Sequence, residues 1–205
     1  MQLTRAGPLV LIATLATAIH AAPASLDYTL KRDDPATCSI DVRDLYDGLT
    51  IVAAANDTLN IRWDMFGTSA ENIEVGDIVW FDTKHPNEHE VFTAVLGGNT
   101  GYADGVVNFL LQDYANQAVG ISGPDHKLSN DTAAMFKVLC QECHSSADLG
   151  QLVGKSCTFE EVDPTLNGNG QCVVFNGVNT VAKMEQCESG KKEQQFNMYA
   201  AAVKP

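Results

Sequence analysis

The residues with the most reactive chemistry in this 205-residue chain are six cysteines, because a thiol can bind a metal, hold haem, exchange electrons or form a disulfide. Two of them stand in Cys140-Gln-Glu-Cys143-His144, and C-x-x-C-H is the spacing of c-type haem attachment. As a redox motif, C-x-x-C needs a βαβ context, which this sequence lacks. An even number of cysteines behind a signal peptide predicts disulfides instead. We therefore expect no haem or other cofactor, and three disulfides formed by Cys38, Cys140, Cys143, Cys157, Cys172 and Cys187.

The pairing of these cysteines stays open, because six cysteines allow many connectivities. Cys172 and Cys187 are the favoured pair, since a short hairpin would bring them together. Five of the six cysteines lie after residue 139, so the C-terminal part is predicted to be the densely cross-linked one. The stretch from Cys38 to Cys140 must depend on its own core.

The segment His85-Pro-Asn-Glu-His89-Glu90 is the densest cluster of possible metal ligands or acid–base groups. Pro86 prevents the regular helix that would bring His85 and His89 onto one face. The segment lies between two strand-like runs, so we expect a polar hairpin loop and no metal site.

Motifs of enzymes are otherwise absent from the sequence. It has no G-x-S-x-G elbow, no H-E-x-x-H, no P-loop and no dinucleotide fingerprint. Glu160 and Glu161 are adjacent, and adjacent residues on a strand point to opposite faces. A glycosidase needs two carboxyl groups that face each other across a cleft. We expect a protein that is not an enzyme.

One resemblance is to the cupredoxins, in the stretches NIEVGDIVWFD, HEV and FKVLCQECHSSADLGQLV. It implies a blue-copper site with His89, Cys140 and His144 as ligands and Gln151 in the axial position. About 50 residues with three more cysteines follow Gln151, where a cupredoxin domain should end. A secreted metalloprotein is therefore an alternative, and the predicted state is one without metal.

The N-terminus predicts export from the cell. Arg5 precedes the apolar run Pro8 to Ala18, and small residues follow, which together predict a signal peptide over residues 1–21. The run is shorter than the ~20 apolar residues that span a bilayer, and we expect no membrane anchor. Residues 22–32 end in Lys31-Arg32, which resembles the cleavage site of secretory-pathway processing proteases. The sequence thus predicts a secreted extracellular protein whose domain covers residues 33–205.

Charge and sequons describe the surface of that domain. The full chain carries a formal net charge of −13, and removal of residues 1–32 takes away three basic residues and one acidic residue, which leaves −15. Such a surface excludes nucleic acids and anionic membranes as expected partners. The sequons at Asn56 and Asn130 predict glycosylated surface loops.

The elements that must position these residues are short strands. Apolar or alternating runs recur between Gly-Asn-Gly, Gly-Gly-Asn, Gly-Pro-Asp and Asp-Gly turns, and no long window holds a helical period. We predict a single disulfide-stapled all-β domain of the β-trefoil type, with a β-sandwich or barrel as the alternative. The runs are LTIVAAA (49–55), DIVWF (77–81), EVFTAVL (90–96), VVNFLL (106–111), MFKVL (135–139), QCVVF (171–175), TVAKM (180–184) and QFNMYAAAV (195–203).

The stretch GNGQCVVFNGVNTVAKMEQCESGKKEQQFNMY, which begins at Gly168, resembles the repeat of ricin-B-type β-trefoils. In that family Gln-x-Trp ends each repeat, and here Gln194-Gln195-Phe196 stands at the motif. The resemblance implies that Phe196 packs into the shared core and that Gln194 ties the hairpin backbone. Phe92 and Phe136 mark two weaker copies, at uneven spacings of 44 and 60 residues.

The same resemblance implies a sugar site that is eroded or relocated. Lectin members place an Asp a few residues after the first Cys of the repeat, where this chain has Asn176-Gly177, and no aromatic lies within Val181 to Met184. Glu193 stands where the family has Asn. We expect a binding protein for an extracellular glycan, a cell-wall polymer or a protein of a host or competitor. An inhibitor of secreted hydrolases is the other alternative.

Overall fold

The computed structural model describes residues 37–40, 48–56, 60–66, 78–83, 91–96, 105–111, 119–123, 125–129, 133–144, 148–163 and 165–201. The chain divides into two units, residues 1–32 and 33–205, and every described residue belongs to the second. The predicted signal peptide and pro-segment lie outside the described residues. Among those described, no helix has both the length and the apolar character that crossing a bilayer requires.

The described residues form short strands and two single-turn 3-10 helices, Ala54–Asn56 and Lys192–Gln194. The prediction of an all-β fold is confirmed. The strands are β1 Leu49–Ala53, β2 Ile61–Phe66, β3 Ile78–Thr83, β4 Phe92–Leu96, β5 Val106–Leu111, β6 Gly120–Ser122, β7 Lys127–Ser129, β8 Met135–Leu139, β9 Glu142–Cys143, β10 Leu152–Val162, β11 Gly168–Val174, β12 Thr180–Val181, β13 Lys183–Gln186 and β14 Phe196–Ala200.

Six of these strands close into a barrel. Antiparallel pairing runs from β1 to β4, β5, β8, β10 and β14, and β14 pairs with β1 again. The ring therefore has no open edge along these strands, which removes the unpaired backbone groups that an edge would expose. The last pair joins the first strand of the barrel to the last one in the chain.

Three hairpins pack beside the barrel. They are β2–β3, β6–β7 and β11–β13, and the pairs β3–β7, β7–β13 and β3–β12 connect them to one another. The chain thus repeats one unit three times: a barrel strand, a hairpin and a second barrel strand. We call these the first repeat (49–96), the second repeat (106–139) and the third repeat (152–200). This architecture is β-trefoil-like.

The core is aromatic, and the fourth strand of every repeat contributes a fully buried phenylalanine: Phe92, Phe136 and Phe196. Trp63 from β2 lies among them, with its ring centroid 6.1 Å from that of Phe92 and 5.7 Å from that of Phe196. The uneven spacing of the three phenylalanines comes mainly from the short second repeat, which has 34 residues where the third has 49. Residues 140–151, which we call the insertion, separate the second repeat from the third and carry β9.

All six cysteines form disulfides, as predicted, and the pairs are Cys38–Cys143, Cys140–Cys157 and Cys172–Cys187. The first two fix the insertion, one to the segment before the first repeat and one to β10. The third cross-links the hairpin of the third repeat and is the pair that the sequence favoured. Gly154 lies against the second bridge: a Cβ there would stand 2.7 Å from the Cys157 sulfur and 2.8 Å from that of Cys140. Only glycine fits this position without a shift of the bridge.

Candidate functional site

An open groove lies where the first and last barrel strands meet. Its volume is about 480 Å³. The lining residues come from β1, from the start of β2, from the insertion and from the end of β14. They are Thr50, Asn60, Arg62, Gly150, Tyr199, Ala200 and Ala201.

The floor of the groove is set by the register of the β1–β14 pair. Thr50 lies directly opposite Tyr199, and residues opposite each other in an antiparallel pair project from the same face. Ile51 and Met198 are fully buried in the core. Because side chains alternate along a strand, Thr50 and Tyr199 project away from the core; Tyr199 is half-buried, and 6% of Thr50 is exposed.

One side of the groove is the beginning of β2. Arg62 lies opposite Val52 of β1 and opposite Asp82 of β3, so two strands hold its backbone. Asn60 precedes β2 with φ 51°, a left-handed conformation that asparagine adopts more readily than most residues. This turn brings the Asn60 amide and the Arg62 guanidinium to the same groove, and both side chains are half-buried.

The opposite side is the end of the insertion. The Gly150 N–H donates to the carbonyl of Ala200 at 2.8 Å, and the Ala200 N–H donates to the carbonyl of Gln151 at 2.9 Å. Gly150 has φ 80°, which is the left-handed region that favours glycine. These bonds fasten the insertion to the last barrel strand, so the groove wall is part of the sheet's hydrogen-bond pattern.

The lining residues that the structure describes offer several polar groups and include no carboxylate. Thr50 and Tyr199 offer hydroxyls, Asn60 offers an amide, and Arg62 offers a guanidinium, so both donors and acceptors are present. The Tyr199 ring adds an apolar face beside a polar group. A concave surface with an aromatic ring and convergent hydrogen-bonding groups is suited to a ligand rich in hydroxyls.

Internal hydrogen bonds occupy the stretch of the third repeat around Asn176-Gly177, where the resemblance to ricin-B-type repeats would imply a sugar site. The Thr180 hydroxyl lies 2.7 Å from the Asn176 Oδ1 and 2.7 Å from the Gly177 carbonyl oxygen. Phe175 packs edge-on against Phe81, with ring centroids 5.1 Å apart.

The motif Gln194-Gln195-Phe196 has a structural role: Gln194 holds the end of the third-repeat hairpin, and Phe196 packs into the core. The Gln194 side chain is 1% exposed; its Nε2 donates to the Gln186 carbonyl at 2.8 Å, and its Oε1 accepts from the Glu188 N–H at 2.8 Å. Both partners flank Cys187, so the amide fixes the end of the hairpin at its disulfide. Phe196 is fully buried and packs against Phe159, with ring centroids 5.5 Å apart.

The interpretation of Cys140 as a copper ligand is wrong. Its sulfur is bonded to Cys157, and that of Cys143 to Cys38, so neither is the thiolate that copper or haem attachment requires. His144 is exposed, and its backbone N–H donates to Val153. His89 lies outside the described residues. Within the described ranges no three His, Cys, Asp or Glu side chains are grouped for a metal.

The predicted modification sites fall mostly elsewhere in the chain. Lys31, Arg32 and Asn130 lie outside the described residues. Asn56 ends the first 3-10 helix, directly after β1. Processing and glycosylation therefore stay predictions.

The described groups with shifted pKa values are exposed ones that do not line the groove. Lys155 donates to Glu142 at 2.7 Å and lowers the pKa of that carboxyl. Glu188 and then Glu185 accept from Lys191 and raise the pKa of its ammonium. These shifts come from surface ion pairs, which contribute little to stability.

Sequence reasoning did not single out the groove residues. Thr50, Asn60, Arg62 and Tyr199 belong to no motif, and Tyr199 lies far from the other three in the chain. One signal was present: Thr50 and Tyr199 are polar residues that alternate with apolar ones in predicted strands. That pattern places them outside the barrel, but it does not say that they meet.

The chain matches no protein-family model and no curated protein sequence. Among solved structures, the agglutinin of Rhizoctonia solani superposes with a TM-score of 0.51 at 10% identity, over 75% of this chain and 95% of that chain. A designed 3-fold symmetric protein, ThreeFoil, gives a TM-score of 0.46 at 13% identity, over 74% of this chain and 97% of that chain. The likeness to the agglutinin shows a shared fold.

Proposed function

We propose that this protein is a secreted carbohydrate-binding protein and that its ligand occupies the groove between β1 and β14. The groove itself carries the proposal: Tyr199 offers a ring face for a pyranose, and Thr50, Asn60 and Arg62 offer hydrogen bonds for its hydroxyls. The position of the ricin-B-type site in the third repeat is filled by the bond between Thr180 and Asn176. Recognition has moved to another face of the same scaffold.

Two features support the extracellular part of the proposal. The three disulfides suit an oxidising compartment. The N-terminal sequence has the pattern of a signal peptide over residues 1–21. Cleavage after Arg32 belongs to the same proposal, and N-terminal sequencing of secreted material should begin at Asp33.

A glycan array tests the binding function. The secreted chain should bind a defined set of glycans, and Tyr199→Ala should lose that binding because the stacking face is gone. Val178→Ala is the matched control, since Val178 is exposed on the third-repeat hairpin and does not line the groove. If Tyr199→Ala keeps the melting temperature and the full array signal of the parent, the ligand does not use this groove.

A further inference from the structure

We infer that the groove selects glycans carrying a single carboxylate, such as a terminal uronic acid residue. This inference rests on the proposed function, because it assigns the ligand class of the same groove. Its basis is the charge of the lining against that of the chain. The chain has 26 acidic and 13 basic residues. The described lining of the groove, in contrast, has one arginine and neither Asp nor Glu.

The chemistry of Arg62 matches a carboxylate. A guanidinium presents five N–H donors in a planar fork, and two parallel donors fit the two oxygens of a carboxylate. The same fork can hold an acceptor of the protein and still offer donors to a ligand. Arg62 sits in β2, which pairs with both β1 and β3, so two neighbouring strands hold its backbone. A fixed fork gives directional selectivity that a mobile lysine lacks.

The charges around Arg62 decide how much negative charge the ligand can carry. Asp82 lies directly across from Arg62 on β3, and Asp64 lies two residues along β2 on the same face and is 8% exposed. These carboxylates are neighbours of Arg62 on the same face of the sheet, and they offset part of its positive charge. The net charge of the whole chain repels a polyanion in addition. The groove therefore suits one carboxylate in direct contact and disfavours a continuous polyuronate.

The neutral lining residues favour a sugar as the carrier of this carboxylate over a peptide. Asn60 and Thr50 offer both donors and acceptors, which suit ring hydroxyls, and Tyr199 offers a flat face. A peptide C-terminus would need partners for its backbone N–H groups as well. The barrel strands at the groove, β1 and β14, pair with each other and leave no edge for it.

The test compares a short oligosaccharide that ends in one uronic acid with its methyl ester, by calorimetry on the secreted chain. The two probes share every sugar hydroxyl and differ in the charge of the carboxyl group and in one methyl group. The acid should bind roughly 10- to 100-fold tighter than the ester, the range for a hydrogen-bonded charged pair. Arg62→Gln should abolish this difference, because it removes the charge that distinguishes the acid from the ester, whatever it does to the binding of the shared hydroxyls. Arg62→Lys should keep part of the difference.

Lys155→Gln is the matched control, because Lys155 is a described cation outside the groove, and it should change neither affinity. Equal binding of acid and ester by the parent would overturn the inference and leave the proposed function standing. Binding of the free C-terminal carboxylate of a peptide, with no glycan bound, would overturn both. If Arg62→Gln does not fold, an acid–ester difference that is the same in Arg62→Lys as in the parent overturns the inference.

Discussion

The second and third repeats form the same four-strand unit, but different interactions stabilise their hairpins. The third repeat has a hairpin of seven- and four-residue strands, a disulfide across it and the buried amide of Gln194 at its end. The second repeat has a hairpin of two three-residue strands without a disulfide across it. Ala134 stands two residues before Phe136, where the third repeat has Gln194 before Phe196. The backbone N–H of Ala134 donates to the carbonyl of Val119. Its methyl side chain cannot make the two hydrogen bonds that Gln194 makes in the third repeat.

This difference separates what the fold requires from what stabilises one hairpin. Both repeats bury a phenylalanine in the fourth strand, and both fourth strands lie in the barrel. The disulfide and the glutamine, in contrast, act within the third repeat alone. The buried phenylalanines therefore stabilise the fold common to the repeats, whereas the disulfide and Gln194 stabilise one hairpin. Substitutions of the phenylalanines should lower the free energy of unfolding most.

Truncation of the core phenylalanines should have the largest effect. Phe196→Ala and Phe136→Ala should each lower the free energy of unfolding by about 3–5 kcal/mol, through lost transfer energy and a cavity. The ring of Phe196 packs against those of Trp63, Phe81 and Phe159. The ring of Phe136 packs against that of Phe109. Phe196→Ala should therefore stand at the upper end of the range.

Urea unfolding followed by tryptophan fluorescence measures both variants. Phe196→Trp restores the aromatic of the ricin-B-type motif and should cost less than the alanine variant. A Phe196→Ala protein that unfolds at the same urea concentration as the parent would contradict the central place of Phe196 in the core. It would also remove the distinction between the core phenylalanines, which stabilise the whole fold, and the disulfide and glutamine, which stabilise one hairpin.

Removal of the hairpin disulfide should come next. The double variant Cys172→Ala, Cys187→Ala opens a loop with a sequence separation of 15 and should lose about 3 kcal/mol. Hydrogen exchange should show the loss locally: amides of β11 and β13 should become no better protected than those of β6 and β7. Equal loss of protection in the hairpins of both repeats would mean that this bridge stabilises the whole unit rather than one hairpin.

Loss of the side-chain tie should have a smaller effect. Gln194→Ala leaves the Gln186 carbonyl and the Glu188 N–H without their partner, which should cost about 1–3 kcal/mol. Glu193→Ala is the neighbouring control; Glu193 is exposed, and its change should stay within about 0.5 kcal/mol. Thermal unfolding of the two variants side by side measures the difference. If the two variants have the same melting temperature, the Gln194 amide does not stabilise the hairpin, and Ala134 in the second repeat costs no stability.

The same comparison explains which parts were predictable from sequence. The third repeat was recognisable because its cysteines, its Gly turn and Gln194-x-Phe196 keep a regular spacing. The second repeat offered only Phe136, because short strands and backbone ties leave little pattern in the residue types. In the insertion, the prediction that Cys140 and Cys143 form disulfides was correct, but their partners were not predictable. The two cysteines are three residues apart and match a redox or metal motif, and each pairs with a more distant cysteine that only the folded chain brings near.

The groove was the least predictable part. It joins β1, β2, β14 and the insertion, so its residues share neither a period nor a spacing. Its polar residues become a site only because the barrel closes between β1 and β14. Sequence patterns report the alternation within a strand; they do not report which strands become neighbours across 149 residues, the separation of Thr50 and Tyr199.

The smallest expected effect is the pH dependence of the turn that opens the third-repeat hairpin. The Asp163 Oδ1 accepts from the Thr165 hydroxyl at 2.6 Å and from the Asn167 N–H at 3.2 Å, and these bonds lower the pKa of Asp163. Because the pKa is lower in the folded state, the stabilisation is fully present above the ordinary pKa of aspartate, about 3.9. It is lost as the pH falls through the pKa of Asp163 in the folded state.

Melting temperatures of the parent and of Asp163→Ala, taken from about pH 6 down to about pH 2, should therefore converge at the acidic end. The carboxylate is exposed, so the gap near neutral pH should be the smallest of this series. A gap that stays constant over the whole range would show that the turn depends on the shape of the side chain and not on its charge.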